Sequence, residues 1–243
     1  SGVKRWFMKK VIWSVCLFFL SIGFVYAEEN DLASNAKSAL LMDFNSGEVL
    51  YQKNENEALP PASMTKIASM LLIMEEIDAG RLSFDDDVTI SERASSMGGS
   101  QLFLQAGEVY KVRELLKGVA VASGNDAIVA LSEKAFGSVE NFVAKMNEKA
   151  SSLGLTSTVF KNPHGLDAEG HTSSAHDMAI LARELIKHEK ILEFTRIYED
   201  YLKKNDGTSI WLVNTNRLVR FYDGVDGLKT GFTQTAGYCL TAT

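Results

Sequence analysis

The order of structural patterns along the chain constrains its fold more than any single motif. Strand-like apolar runs stand near its start and at its end, and the long middle carries helical spacing. Residues 38–44 and 48–53 flank Asn45-Ser46-Gly47, a turn sequence that predicts a β-hairpin. From Ala62 to Ala79 the apolar residues Ile67, Leu71, Met74 and Ile77 recur at intervals of three and four, and Gly80 stops the helix. Phe84–Ile90 is short and acidic, and Ser91–Val109 reads as a loop. Helices are predicted over Val112–Ala122, Asp126–Phe136, Val139–Leu153 and Ser174–His188, the last with Met178, Leu181, Leu185 and Ile186 facing inward. Residues 209–213 follow. Then Leu228–Thr233 and Gly237–Thr243 read as strands joined through Gln234-Thr235-Ala236. Early and late strands can share a sheet only if the helical middle is an excursion from it. The expected class is therefore α+β: a largely antiparallel sheet flanked by helices, plus a helical lobe.

The chain has 243 residues, 46% of them apolar, enough for a core that needs no disulfide staples. Its net charge is −6 with no basic block after the first ten residues, which argues against a nucleic-acid partner. Met8-Lys9-Lys10, the apolar run Val11–Val25 and the small residues Val25 and Ala27 have the pattern of an export signal over residues 8–27. The run to Ala27 is 17 residues long, at the short limit for a membrane span. Removing residues 1–27 takes Lys4, Arg5, Lys9 and Lys10 and no acid. That leaves 21 basic against 31 acidic residues, a net charge of −10. Cys16 leaves with the signal, so the remaining thiol, Cys239, can form neither an internal disulfide nor a zinc cluster. Residues 28–243 are expected to form one exported domain. Its last residues, 238–243, read as the middle of a strand, so the sequence is expected to be a fragment.

Three short motifs carry chemistry. In Ser63-Met64-Thr65-Lys66, residues three apart share a helix face, so a Lys amine held neutral can take the Ser proton. A helix start also favours developing negative charge. Ser34-Asn35-Ala36-Lys37 matches the same pattern but precedes a strand, and we set it aside. Ser123-Gly124-Asn125 interrupts two helices. It can point a hydroxyl and an amide into a cleft, or serve as a plain helix connection capped by Asn125 or Asp126. Lys229-Thr230-Gly231 lies on a late strand: Lys and Thr can bind a carboxylate, and Gly admits another backbone. Asp85-Asp86-Asp87 lacks the alternating ligands of a calcium loop. His164, His171 and His176 lack metal-ligand spacing.

In this order the three motifs form the signature of penicillin-binding proteins and class A β-lactamases, with Gly124 where Asp is usual. With Asn162-Pro163-His164-Gly165-Leu166-Asp167, Ser174-Ala175-His176-Asp177 and Val225–Gly231, the chain from about Ser38 to Thr243 resembles the serine D-alanyl-D-alanine carboxypeptidases. These are the low-molecular-mass penicillin-binding proteins of the β-lactamase/transpeptidase-like fold. The resemblance implies that Ser63 is acylated by the penultimate D-Ala of a peptidoglycan stem peptide, with Lys66 as base and Ser123 passing the proton to the leaving amine. It implies that Asn125 positions the substrate amide, that Lys229 and Thr230 bind the substrate end, and that the Lys229 charge helps keep Lys66 neutral. The N–H groups of Ser63 and Phe232 would form the oxyanion hole, Gly231 would belong to the substrate site, and His164 would line the cleft. No metal or cofactor is implied, and β-lactam antibiotics would acylate Ser63. Phe232 departs from members with a polar residue there.

The family's domain continues with a further strand, a helix and a basic carboxylate clamp, and many members add a membrane anchor. The implied location is the outer face of the bacterial cytoplasmic membrane, the periplasm or the cell wall. The competing readings are a D,D-endopeptidase, a β-lactamase, and a catalytically silent cell-wall binding protein.

Overall fold

Strands pair with their sequence neighbours throughout residues 31–243, the part of the chain that the computed structural model describes. The export signal expected over residues 8–27 lies outside the described residues. β1 (Ala39–Met42) pairs antiparallel with β2 (Val49–Lys53), with Leu40 opposite Gln52 and an irregularity at Leu41/Met42. The Asp43 carboxylate shapes the turn by accepting from Ser46 N and Ser46 Oγ, both at 2.7 Å, and Gly47 takes φ +75°. Three further antiparallel pairs follow the same rule. They are β3 (Asp87–Thr89) with β4 (Val109–Lys111), β5 (Glu199–Lys203) with β6 (Ser209–Val213), and β7 (Leu228–Thr233) with β8 (Gly237–Ala242).

The helices between them are α1 (Lys66–Asp78), α2 (Val112–Ala122), α3 (Asn125–Phe136), α4 (Val139–Ser152) and α5 (Ala175–Ile186). Four-residue helical turns cover Glu92–Ser95, Leu192–Thr195 and Leu218–Phe221. Their starts follow their sequences: Ser138 caps α4 by accepting from Asn141 N, and Ser174 caps α5 by accepting from Asp177 N. α1 is central. From Ile67 to Met74 every residue is buried, so it is enclosed on all sides and its one polar residue there, Ser69, donates to Pro163 O. Each such large apolar side chain contributes about 1.5–3 kcal/mol through burial. α1 packs against α3, α4 and α5 and touches β7, while α5 backs both β1 and β8.

The two end hairpins therefore lie against shared helices, which gives the expected α+β layering. They do so as separate two-stranded units: among the described residues β1–β2 and β7–β8 exchange no ladder hydrogen bonds. β3–β4 and β5 went unpredicted. β3 and β4 are three residues each, and Glu199–Lys203 carries three charged residues in five, too few apolar positions for a strand pattern.

Candidate active site

Pro60-Pro61 ends the preceding extended segment, and Ala62–Thr65 forms a 3-10 turn that leads directly into α1. The turn is tight. Ala62 is buried with φ +49°, Met64 N donates to Pro61 O, and Lys66 N donates to Ser63 O. In a 3-10 turn residues three apart eclipse one another, so Ser63 and Lys66 are stacked more closely than on an α-helix. Lys66 Nζ donates to Ser63 Oγ at 3.0 Å and to the His164 carbonyl at 2.8 Å, and both acceptors are neutral.

Lys66 is fully buried, and burial holds its pKa well below the ordinary lysine value. The Lys229 charge pushes the same way and the Asp126 charge pushes back. Lys229 is itself buried, its pKa is pushed down to about 7 by desolvation, and its amine donates to Thr230 O. Repulsion from Lys229 thus ranks second to burial. It weakens whenever Lys229 loses its own proton.

β7 is brought onto the nucleophile turn by Gly231. A Cβ at that position would sit 2.8 Å from Ser63 N and 3.2 Å from Met64 N. From the other side Gly165, at φ +95°, presses the Asn162–Leu166 loop onto the turn: a Cβ there would sit 1.8 Å from Ala62 O. Asn162 folds this loop by accepting from Gly165 N and donating to Leu166 O. His164 thus enters the site by its backbone. Its ring accepts from Leu166 N, and burial, with Lys66 nearby, pushes its pKa down to about 3, so the imidazole is neutral.

Ser123 closes α2 in the left-handed conformation (φ +59°, ψ +34°), and Gly124, not Asn125 or Asp126, is the residue before α3. Ser123 Oγ and Asn125 Oδ1 are both buried, and neither has a hydrogen-bond partner. Two buried oxygens without a partner and a left-handed non-glycine residue thus share one corner. Asn125 donates through Nδ2 to Gly98 O. Thr230 Oγ1 donates to Thr215 Oγ1, and Phe232, half exposed, stacks with Tyr238 across β7–β8 at 4.7 Å. Ser63, Lys66, the His164 carbonyl and Gly231 are thus in direct contact. Lys229 acts on Lys66 through its charge, and Ser123 stands unbonded.

A profile of D-alanyl-D-alanine carboxypeptidases matches residues 25–243. The chain belongs to the D-alanyl-D-alanine carboxypeptidase family. D-alanyl-D-alanine carboxypeptidase DacF of Bacillus subtilis is 61% identical over 213 residues, covering 88% of this chain and 55% of that protein. DacC of Escherichia coli is 39% identical over 221 residues, covering 86% of this chain and 53% of its own length. Among solved structures, DacD of Francisella tularensis superposes with a TM-score of 0.80 at 32% identity, covering 86% of this chain and 62% of that one. Penicillin binding protein 5 of Haemophilus influenzae superposes with 0.79 at 37% identity, covering 85% and 60%. The chain spans about half the length of the curated relatives it matches.

Sequence reasoning on this carboxypeptidase-family chain missed the supports of the site. His171 accepts from Lys161 N through Nδ1, so its protonated Nε2 donates to Thr65 Oγ1 at 2.8 Å. Burial pushes its pKa down to about 4. His171 therefore anchors the 161–171 loop to the turn between Ser63 and Lys66. Asp126 was read only as a cap. The available signal was an acid at the start of an otherwise apolar stretch, Ala127–Leu131. Among the described residues no three His, Cys, Asp or Glu side chains converge on a metal site, and no helix is long and apolar enough to cross a membrane.

Proposed function

We propose that this chain is the catalytic part of a serine D,D-carboxypeptidase that removes the terminal D-Ala from peptidoglycan stem peptides. The observation that carries the reading is the 3.0 Å contact between Ser63 Oγ and a buried amine whose pKa is held low. In the proposed reaction Lys66 Nζ takes the Ser63 proton as Oγ bonds to the carbonyl carbon of the penultimate D-Ala. The Ser63 and Phe232 N–H groups receive the oxyanion, a term worth roughly 3–4 kcal/mol per donor in other enzymes. The C–N bond breaks as the leaving D-Ala amine gains a proton through Ser123, whose hydroxyl has no competing partner. Water then attacks the Ser63 ester as Lys66 takes its proton; the acyl C–O bond breaks, Lys66 passes that proton to Ser63 Oγ, and the shortened peptide leaves. Asn125 orients the substrate amide. Lys229 and Thr230 receive the terminal carboxylate, and a protonated Lys229 is the form that binds it.

A β-lactam presents a reactive amide in the same cleft and would leave a stable ester on Ser63. The site would work outside the cytoplasm, on the wall side of the membrane, after export directed by residues 8–27. The acidic remainder and the leader pattern support that location.

Fluorescent penicillin labelling, with Ser63→Ala as control, tests the reading. Wild type is expected to label covalently and Ser63→Ala not at all. Release of D-Ala from a pentapeptide identifies the carboxypeptidase. Cleavage of a cross-linked dimer or rapid turnover of penicillin would replace it with the endopeptidase or the β-lactamase.

A further inference from the structure

Asp126 is wholly buried in the first turn of α3, directly after Asn125. Its Oδ1 accepts from Leu102 N at 3.0 Å and Ala127 N at 2.9 Å, and its Oδ2 from Leu102 N at 2.9 Å and Leu104 N at 3.2 Å. The Leu102 and Leu104 donors belong to Gly98–Leu104, a strap with no helix or strand of its own. Asn125 holds the other end of the same strap: its Nδ2 donates to Gly98 O at 2.8 Å and its N to Ser100 O at 2.7 Å. Adjacent residues thus clamp the strap with opposite chemistry, donors on Asn125 and acceptors on Asp126. Between the clamps Leu102 is pressed onto the α2–α3 corner. A Cβ at Gly118 would sit 2.2 Å from Leu102 Cδ1, and one at Gly124 would sit 2.9 Å from Leu102 Cγ. That corner carries Ser123, whose hydroxyl has no bond of its own to fix it.

We propose that Asp126 is a positioning residue of the acyl-transfer site: it locks the Gly98–Leu104 strap against the Ser123–Asn125 corner and so fixes where the Ser123 hydroxyl stands. The proposal rests on the acyl-transfer reading of the same site. A neutral Asn at position 126 turns an NH2 toward an N–H donor, so the clamp on Leu102 and Leu104 fails.

The test compares wild type, Asp126→Asn and Asp126→Glu. Two readouts are taken: amide exchange at Leu102 and Leu104, and acylation by fluorescent penicillin resolved into its binding and rate constants. In Asp126→Asn the two amides are expected to exchange faster and the acylation rate constant to fall by roughly tenfold to a hundredfold. Asp126→Glu is expected to leave the amides fast and acylation slow, because the longer carboxylate keeps the charge and misplaces the acceptors. Unchanged exchange at Leu102, or an unchanged acylation rate constant in Asp126→Asn, overturns the proposal. If wild type does not label, the acyl-transfer reading fails, while the exchange still decides whether Asp126 clamps the strap. If neither variant folds, the wild-type amides decide it. Exchange at Leu102 and Leu104 as slow as in α3 supports the clamp, and exchange as fast as at Phe103 overturns it.

Discussion

Ser123 concentrates the tension between stability and chemistry. A non-glycine residue at φ +59° carries a steric penalty of about 1–2 kcal/mol, and its buried hydroxyl lacks a partner. Ser123→Gly removes both liabilities and keeps the backbone shape. We expect the variant to gain about 0.5–1 kcal/mol of stability in urea unfolding, tempered by the greater freedom of Gly in the unfolded chain. The same variant should slow release of D-Ala from a pentapeptide, because no hydroxyl remains to carry the proton to the leaving amine. A variant that is both less stable and fully active would contradict this account of the corner. Lys66 shows the complementary case. The three-residue spacing in the sequence predicts its contact with Ser63, but its lowered pKa depends on a shell of buried residues that the spacing does not contain.

At the scale of elements, the site is an approach of three backbones: the 3-10 turn, β7 and the Asn162–Leu166 loop. Glycine permits each approach, and the two contacts differ in severity. At Gly231 an added methyl meets the backbone Ser63 N at 2.8 Å with an ordinary φ, so β7 or the nucleophile turn must shift. At Gly165 it would overlap the Ala62 carbonyl at 1.8 Å on a backbone with φ +95°. Gly231→Ala should therefore fold with a loss of about 1–3 kcal/mol and label slowly with penicillin. Gly165→Ala should lose more stability than Gly231→Ala in the same thermal melt, since both space and φ oppose it. The reverse order would show that the loop, rather than the strand, is the part that yields. The sequence marked Gly231 as a place for close approach but read Gly165 as an ordinary turn residue. What separates them is the neighbour each meets, and that neighbour is about a hundred residues or more away in the chain.

For the whole molecule, the buried titratable groups tie stability to pH. His171 and His164 are held neutral with folded pKa values of about 4 and about 3, below the ordinary 6.5. As pH falls the unfolded chain takes up these protons first, so this stability is fully present above about pH 6.5 and is lost progressively toward pH 4 and 3. Urea unfolding at about pH 7 and about pH 4.5 should show a smaller drop for His171→Gln than for wild type. An equal drop would show that the bond to Thr65 does not depend on a neutral ring. Lys229 acts on the alkaline side: unfolded lysine titrates near 10.5 and Lys229 near 7, so stability should climb between those values. Lys229→Met is expected to flatten that climb.

The sequence by itself determined the hairpins at both ends, the helical middle and the order of the three motifs, because turns, helix periods and spacings of three are set by neighbours in the chain. It also placed Ser63 and Lys66 one above the other, since a single helical turn suffices for that. Tertiary structure alone decided that the His164 carbonyl, Gly231 and the Lys229 charge meet that pair, that Asp126 and His171 hold the surrounding loops, and that the end hairpins remain separate among the described residues. The physical reason is range. Backbone geometry acts over a few residues, whereas exclusion of water and the fields of buried charges arise only once distant segments have packed together.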